Sequence, residues 1–84
     1  MDDNVMVRPL SYIGHHARIG AHSFVGPNAN LLGHCSLGEQ TFVGAGAVIG
    51  PGVSVGARSL IGANASVLKD IPEGSLVAPN SAVN

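Results

Sequence analysis

Val43-Gly44-Ala45-Gly46-Ala47-Val48-Ile49-Gly50-Pro51-Gly52-Val53-Ser54-Val55-Gly56 decides the fold of this chain. An aliphatic residue followed by glycine returns every six positions within it, and a small or short residue stands four places after each aliphatic one. Working outward in both directions, the aliphatic column runs Val7, Ile13, Ile19, Val25, Leu31, Leu37, Val43, Ile49, Val55, Ile61 and Val67 without a slip. The glycine column holds Gly14, Gly20, Gly26, Gly38, Gly44, Gly50, Gly56 and Gly62. The fifth column reads Ser11, Ala17, Ser23, Ala29, Cys35, Thr41, Ala47, Val53, Ser59 and Ala65. A fixed internal period signals a solenoid, and this one is too short for any helical repeat.

Apolar residues six apart would lie on opposite sides of a helix, and each interior glycine would cost a helix roughly 1 kcal/mol. Ordinary hairpins need turn signals every eight to twelve residues, not every six. Short extended segments joined by sharp bends remain, stacked as parallel strands with each rung about 4.8 Å above the last. Glycine at the bends supplies either unusual backbone angles or close backbone approach.

Composition narrows the function. Eighty-four residues make one small domain over 1–84, with repeats at 7–67 and a tail at 68–84. A net charge of −1 and 11% charged residues leave no basic footprint for nucleic acid. No apolar run has the length of a membrane span, and MDDNVMVRPL lacks the regions of a signal peptide. A cytoplasmic location is expected. Cys35, the single cysteine, falls in the small inward column and is read as a buried structural thiol.

So small a prism is marginal alone, and the outward sixth column indicates where association adds burial. Phe24, Phe42 and Leu60 are eighteen residues apart, so on coils of three units they stack into one apolar ridge, the kind of patch that marks an interaction surface.

All four histidines lie in the first half: His15, His16, His22 and His34. They occupy the third and fourth positions of their units, which point outward, so each is either a solvated corner residue or part of a site. His16 and His34 are eighteen apart and stack on adjacent coils, and a third histidine, such as His22 of a neighbouring chain, would complete a three-histidine metal set.

The columns strongly resemble the hexapeptide repeat of left-handed parallel β-helix acyltransferases. In that family three hexapeptides make one triangular coil, which implies an all-β, left-handed parallel β-helix of about four coils here. His15-His16-Ala17-Arg18-Ile19-Gly20, followed by Pro27-Asn28-Ala29-Asn30-Leu31-Leu32-Gly33, is similar to a segment of the sialic-acid and bacillosamine-type sugar O- and N-acetyltransferases. The resemblance puts His15 on the family's catalytic histidine, a general base suited to the task because imidazole titrates near neutral pH. His16 stands where the family has the acidic partner of that base, and Phe24 where relatives often have a second histidine. The backbone N–H of Gly33 falls where it would steady the oxyanion formed from the acetyl-CoA thioester.

Phe42-Val43-Gly44-Ala45-Gly46-Ala47-Val48 and Ile61-Gly62-Ala63-Asn64-Ala65 are similar to the late coils along which acetyl-CoA lies in that family, implicating Ala45 and Ala63. Lys69-Asp70-Ile71-Pro72-Glu73-Gly74-Ser75-Leu76-Val77-Ala78 is similar to its ending, where the coil stops and the chain folds back beside CoA, with Lys69 meeting a phosphate. Pro79-Asn80-Ser81-Ala82 departs from the family's usual Gly-Asn-Pro-Ala. The resemblance also implies homotrimers, here joined through Phe24, Phe42 and Leu60, with sites between subunits and a small-molecule acceptor. The nucleotide-sugar lobe that precedes the coils in those enzymes has no counterpart in the six residues before Val7.

γ-Class carbonic anhydrases share the fold and hold metal between subunits. Aligned on Cys35, their paired ligand positions fall on Asn28 and Gly33, so no metal is expected. The leading expectation is an acetyl-CoA-dependent acetyltransferase of a small acceptor; the alternative is a non-catalytic trimeric assembly module or relic.

Overall fold

A computed structural model describes residues 4–84. Thirteen two-residue strands follow one another among them. The first seven are β1 (Met6–Val7), β2 (Tyr12–Ile13), β3 (Arg18–Ile19), β4 (Phe24–Val25), β5 (Asn30–Leu31), β6 (Ser36–Leu37) and β7 (Phe42–Val43). Then come β8 (Val48–Ile49), β9 (Ser54–Val55), β10 (Leu60–Ile61), β11 (Ser66–Val67), β12 (Leu76–Val77) and β13 (Ala82–Val83). Each strand ends on the residue of the aliphatic column, so the six-residue period is the strand spacing.

Strands three apart pair in parallel up to β11, and the last two strands pair two apart (β10 with β12, β11 with β13), giving three sheets that form the faces of a left-handed β-helix of about four coils. The first sheet is β1-β4-β7-β10-β12 and the second is β2-β5-β8-β11-β13. The third is β3-β6-β9, continued by a bridge from Val55 to Ile71. Phe24 faces Phe42 and Leu31 faces Ile49, a register of eighteen residues.

The inward columns fill the interior. Val25, Leu31, Val43, Ile49, Ile61 and Val67 are fully buried, as are Ala29, Cys35, Ala47 and Ala65 of the small column. Val7 and Ile13, in the first coil, are half-buried against the core. The corner between the third and first sheets differs in chemistry, because its small residues are hydroxylic. Ser23, Thr41 and Ser59 are buried there, and their hydroxyls donate to carbonyls of the glycine column: Thr41 Oγ1 to Gly38 at 2.8 Å, Ser59 Oγ to Gly56 at 2.8 Å and Ser23 Oγ to Gly38 at 3.1 Å. Burial of these polar groups is thereby satisfied.

At the bends the structure selects one of the two roles open to glycine. The left-handed residue is not in the glycine column but two places later, at His16 (φ 60°), His22 (61°), Asn28 (62°), His34 (64°) and Gln40 (56°). With Ala17 N–H donating to the Gly14 carbonyl at 3.2 Å, this is a type II turn. The column glycines serve close approach instead. A Cβ on Gly38 would lie 2.5 Å from the Ala57 nitrogen of the next coil.

The repeats also continue past residue 67, where the sequence reading ended them and expected the chain to fold back. The unit after Val67 is two residues short, and Ile71, Val77 and Val83 then resume the column: β12 pairs with β10 and β13 with β11. Asp70 Oδ1 accepts from Ser54 N–H at 2.8 Å within the shortened bend. The same six-residue spacing offset by two was the available signal, and Glu73 at the unshifted position concealed it. The described residues include no helix long and apolar enough to cross a membrane.

Candidate active site

The bends between the second and third sheets stack into one edge of the prism. His15 and His16 lie on its first coil, Gly33 and His34 on the second, and Lys69 on the fourth. The type II turn projects its two central residues outward, so all three imidazoles are exposed. The His16 and His34 rings stack with centroids 5.0 Å apart and planes 18° apart, as their eighteen-residue spacing requires. His15 meets His16 edge-on at 3.8 Å and His34 at 5.9 Å. His22 lies on a different edge, between the third and first sheets, so one chain does not bring all four histidines together. Among the described residues no three His, Cys, Asp or Glu side chains form a metal-binding group.

Gly33 sits directly above His15. His34 N–H donates to the His15 carbonyl at 2.8 Å, and the Gly33 carbonyl accepts from Gly52 N–H at 2.9 Å. The Gly33 N–H donates to no carbonyl in the backbone ladder of the described residues, and its nitrogen packs over Gly14, where an added Cβ would lie 2.6 Å away. No carboxylate belongs to residues 14–18 or 32–36, leaving the imidazoles without a nearby anion on their own two bends.

The cofactor residues read from the sequence divide between two edges. Ala45 and Ala63 stack on the bends between the first and second sheets, where Asn64 N–H donates to the Ala45 carbonyl at 2.8 Å. Gly33 and Lys69 are on the histidine edge, with the whole second sheet between the two pairs. Within one chain, therefore, Ala45 and Ala63 do not adjoin His15.

Two residues that the sequence reading passed over complete the local surface. Arg18 and Ser36 are register partners on the third sheet, and with His16, Ala17 and His34 they line an open recess of about 530 Å³. Their sixth-column positions, eighteen apart, carried that signal. Cys35 is fully buried behind them, and burial pushes its thiol pKa up, opposing thiolate formation. On the first sheet Phe24 and Phe42 stack at 4.9 Å and 14°, and their ladder extends through Met6, Leu60 and Leu76.

Comparison with known proteins places this geometry. The family described as bacterial transferase hexapeptide (six repeats) matches residues 1–33 and 34–69. Among solved structures, PerB from Caulobacter crescentus, in complex with CoA and GDP-perosamine, is similar at 28% identity and a TM-score of 0.75, over 89% of this chain and 51% of that one. A histidine-to-asparagine mutant of perosamine N-acetyltransferase from the same organism, bound to the same two ligands, gives 28% and 0.71, over 89% and 50%. A hexapeptide-repeat acetyltransferase from Vibrio cholerae shares the fold, with 22% identity and a TM-score of 0.70 over 90% of this chain and 66% of that one. The chain thus spans about half the length of the perosamine enzymes. No curated protein sequence matches it significantly. Repeat and coil agree with the family match, and the chain belongs to the bacterial hexapeptide transferases.

Proposed function

We propose that the chain is an acetyl-CoA-dependent O- or N-acetyltransferase for a small acceptor, with His15 as general base. The observation that carries this reading is the stacking of Gly33 on the bend directly above His15, on a coil whose solved relatives hold CoA. An acceptor hydroxyl or amine attacks the thioester carbonyl, forming the new C–O or C–N bond as His15 takes its proton. Gly33 N–H faces the oxygen that becomes negative. Collapse of the intermediate breaks the C–S bond, and CoA leaves as the thiolate, to be protonated from His15. His16 borders His15 at 3.8 Å and orients it as a neighbouring ring, without the charge of a carboxylate.

Ala45 and Ala63 belong to this site only if they come from a second chain, because they sit on another edge. A homotrimer joined through Phe24, Phe42 and Leu60 supplies such a chain, and a cytoplasmic location would supply acetyl-CoA. Lys69, three rungs or about 14 Å above His15 on the same edge, suits a CoA phosphate.

Calorimetric titration of the protein with acetyl-CoA tests the reading without knowledge of the acceptor. Micromolar binding near one CoA per chain is expected, and His15→Ala is expected to retain that binding while losing thioester turnover about 100-fold or more. No heat at millimolar acetyl-CoA would favour a second reading, a non-catalytic assembly module, for which the apolar ladder along the first sheet and the carboxylate-free histidine bends speak.

A further inference from the structure

The recess beside the histidine edge has a chemistry of its own. Its lower coil contributes His16, Ala17 and Arg18, and its upper coil His34 and Ser36. The polar lining is therefore one guanidinium, two imidazoles and a hydroxyl, with no carboxylate among them. Arg18 is exposed, and the ion pair found among the described residues joins Arg58 to Glu73 on another edge, so no described acid neutralises Arg18. Ser36 Oγ lies 3.3 Å from Ser54 Oγ of the next rung; a hydroxyl rotor at either can donate to a guest. A planar guanidinium beside imidazole and hydroxyl donors matches an oxyanion in geometry and sign.

We infer that this recess is an oxyanion subsite, holding a phosphate monoester or carboxylate carried by the acceptor. The inference rests on the acetyltransferase reading and gives it a substrate class: a small anionic alcohol or amine. Anchored at Arg18, such a molecule lies against His16 and next to His15, with its neutral end free to reach the base. The phosphates of CoA compete for the same chemistry, but the matching cation for them is Lys69, three rungs higher on the edge. The recess is open to solvent, so a guest anchored in it by an anion can extend beyond it.

Inorganic phosphate is the probe, followed through the histidine ring and Arg18 side-chain NMR signals of the full chain. Saturable shifts of His16, His34 and Arg18 are expected at millimolar phosphate. Arg18→Gln is expected to weaken binding roughly tenfold or more, while Arg58→Gln, a surface arginine on another edge, leaves it unchanged. Absence of saturable shifts, or an Arg18→Gln titration like the wild type, would overturn the subsite. The titration is repeated with saturating acetyl-CoA, whose own binding is measured by calorimetry. Simultaneous binding supports the acceptor assignment, whereas mutual displacement assigns the recess to CoA and overturns it. Acetyl-CoA binding without phosphate binding sinks this inference alone; phosphate binding without acetyl-CoA binding sinks the acetyltransferase reading and the acceptor assignment with it.

Discussion

Gly38 and Gly52 occupy bends on different edges and are glycine for different reasons. The Gly38 Cα faces the next coil so closely that a methyl would meet the Ala57 nitrogen at 2.5 Å, and backbone cannot yield as a side chain can. Gly52 has open space around it and a φ of 71°. Gly38→Ala should therefore cost about 3 kcal/mol, the upper part of the range for overpacking. Gly52→Ala should cost about 1 kcal/mol, the strain of a left-handed alanine. Urea midpoints measure both, and equal losses would refute the distinction. The period was legible in the sequence, but the glycine column drew attention to the wrong place for the left-handed turn, because histidine, glutamine and arginine carry it as well as asparagine. Cys35 is a third kind of residue, small enough for its column and closed to solvent. Its raised folded pKa means that its contribution to stability is full below the ordinary thiol range and is lost as pH rises through the folded value. Iodoacetamide should label it only on unfolding; rapid labelling of the native protein would show an open core.

At the scale of elements, strand pairing followed from arithmetic: a period of six and three faces give partners eighteen apart, as Leu31 and Ile49 show. The arithmetic failed where one unit lost two residues. Ile71 closes that short unit by bridging to Val55, and through it β12 and β13 regain the ladder. Ile71→Ala should cost about 2 kcal/mol, the low end for a buried isoleucine because Ile71 is 9% exposed near the end of the core. Amide exchange should quicken at Leu76–Val77 and Ala82–Val83 and stay slow at Val25 and Val43. Uniform acceleration would mean that the last rungs do not depend on Ile71. The same remainder on eighteen assigns each bend residue to an edge. It puts His15, Gly33 and Lys69 together and Ala45 and Ala63 elsewhere, a division that reading by motif alone did not draw. Arg18 and Ser36 escaped because the motif that contains Arg18 was read for its histidines and Ser36 lies outside the quoted motifs; only their shared rung makes them neighbours.

The whole molecule is a prism with unlike faces. Met6, Phe24, Phe42, Leu60 and Leu76 make the first face apolar, whereas Arg18, Ser36 and Ser54 make the third polar. Phe42, 45% exposed in the middle of its ladder, is where a carboxylate would most disturb association through that face. Phe42→Asp should reduce the mass measured by light scattering to that of smaller particles or give aggregates; an unchanged mass would remove the ridge from assembly. Arg58 and Glu73 form an exposed pair, 51% and 61% open to solvent, and add little to this balance. The eighteen-residue register below the shortened unit has a consequence for how such a protein can change length. Each coil touches only the coils above and below it, so the addition or loss of eighteen residues in mid-stack leaves every bend at its edge. What alters is the separation of His15 from Lys69, in steps of about 4.8 Å. The coil is thus a ruler with fixed graduations, on which the span between the proposed base and the proposed phosphate anchor is set by counting turns rather than by reshaping either end.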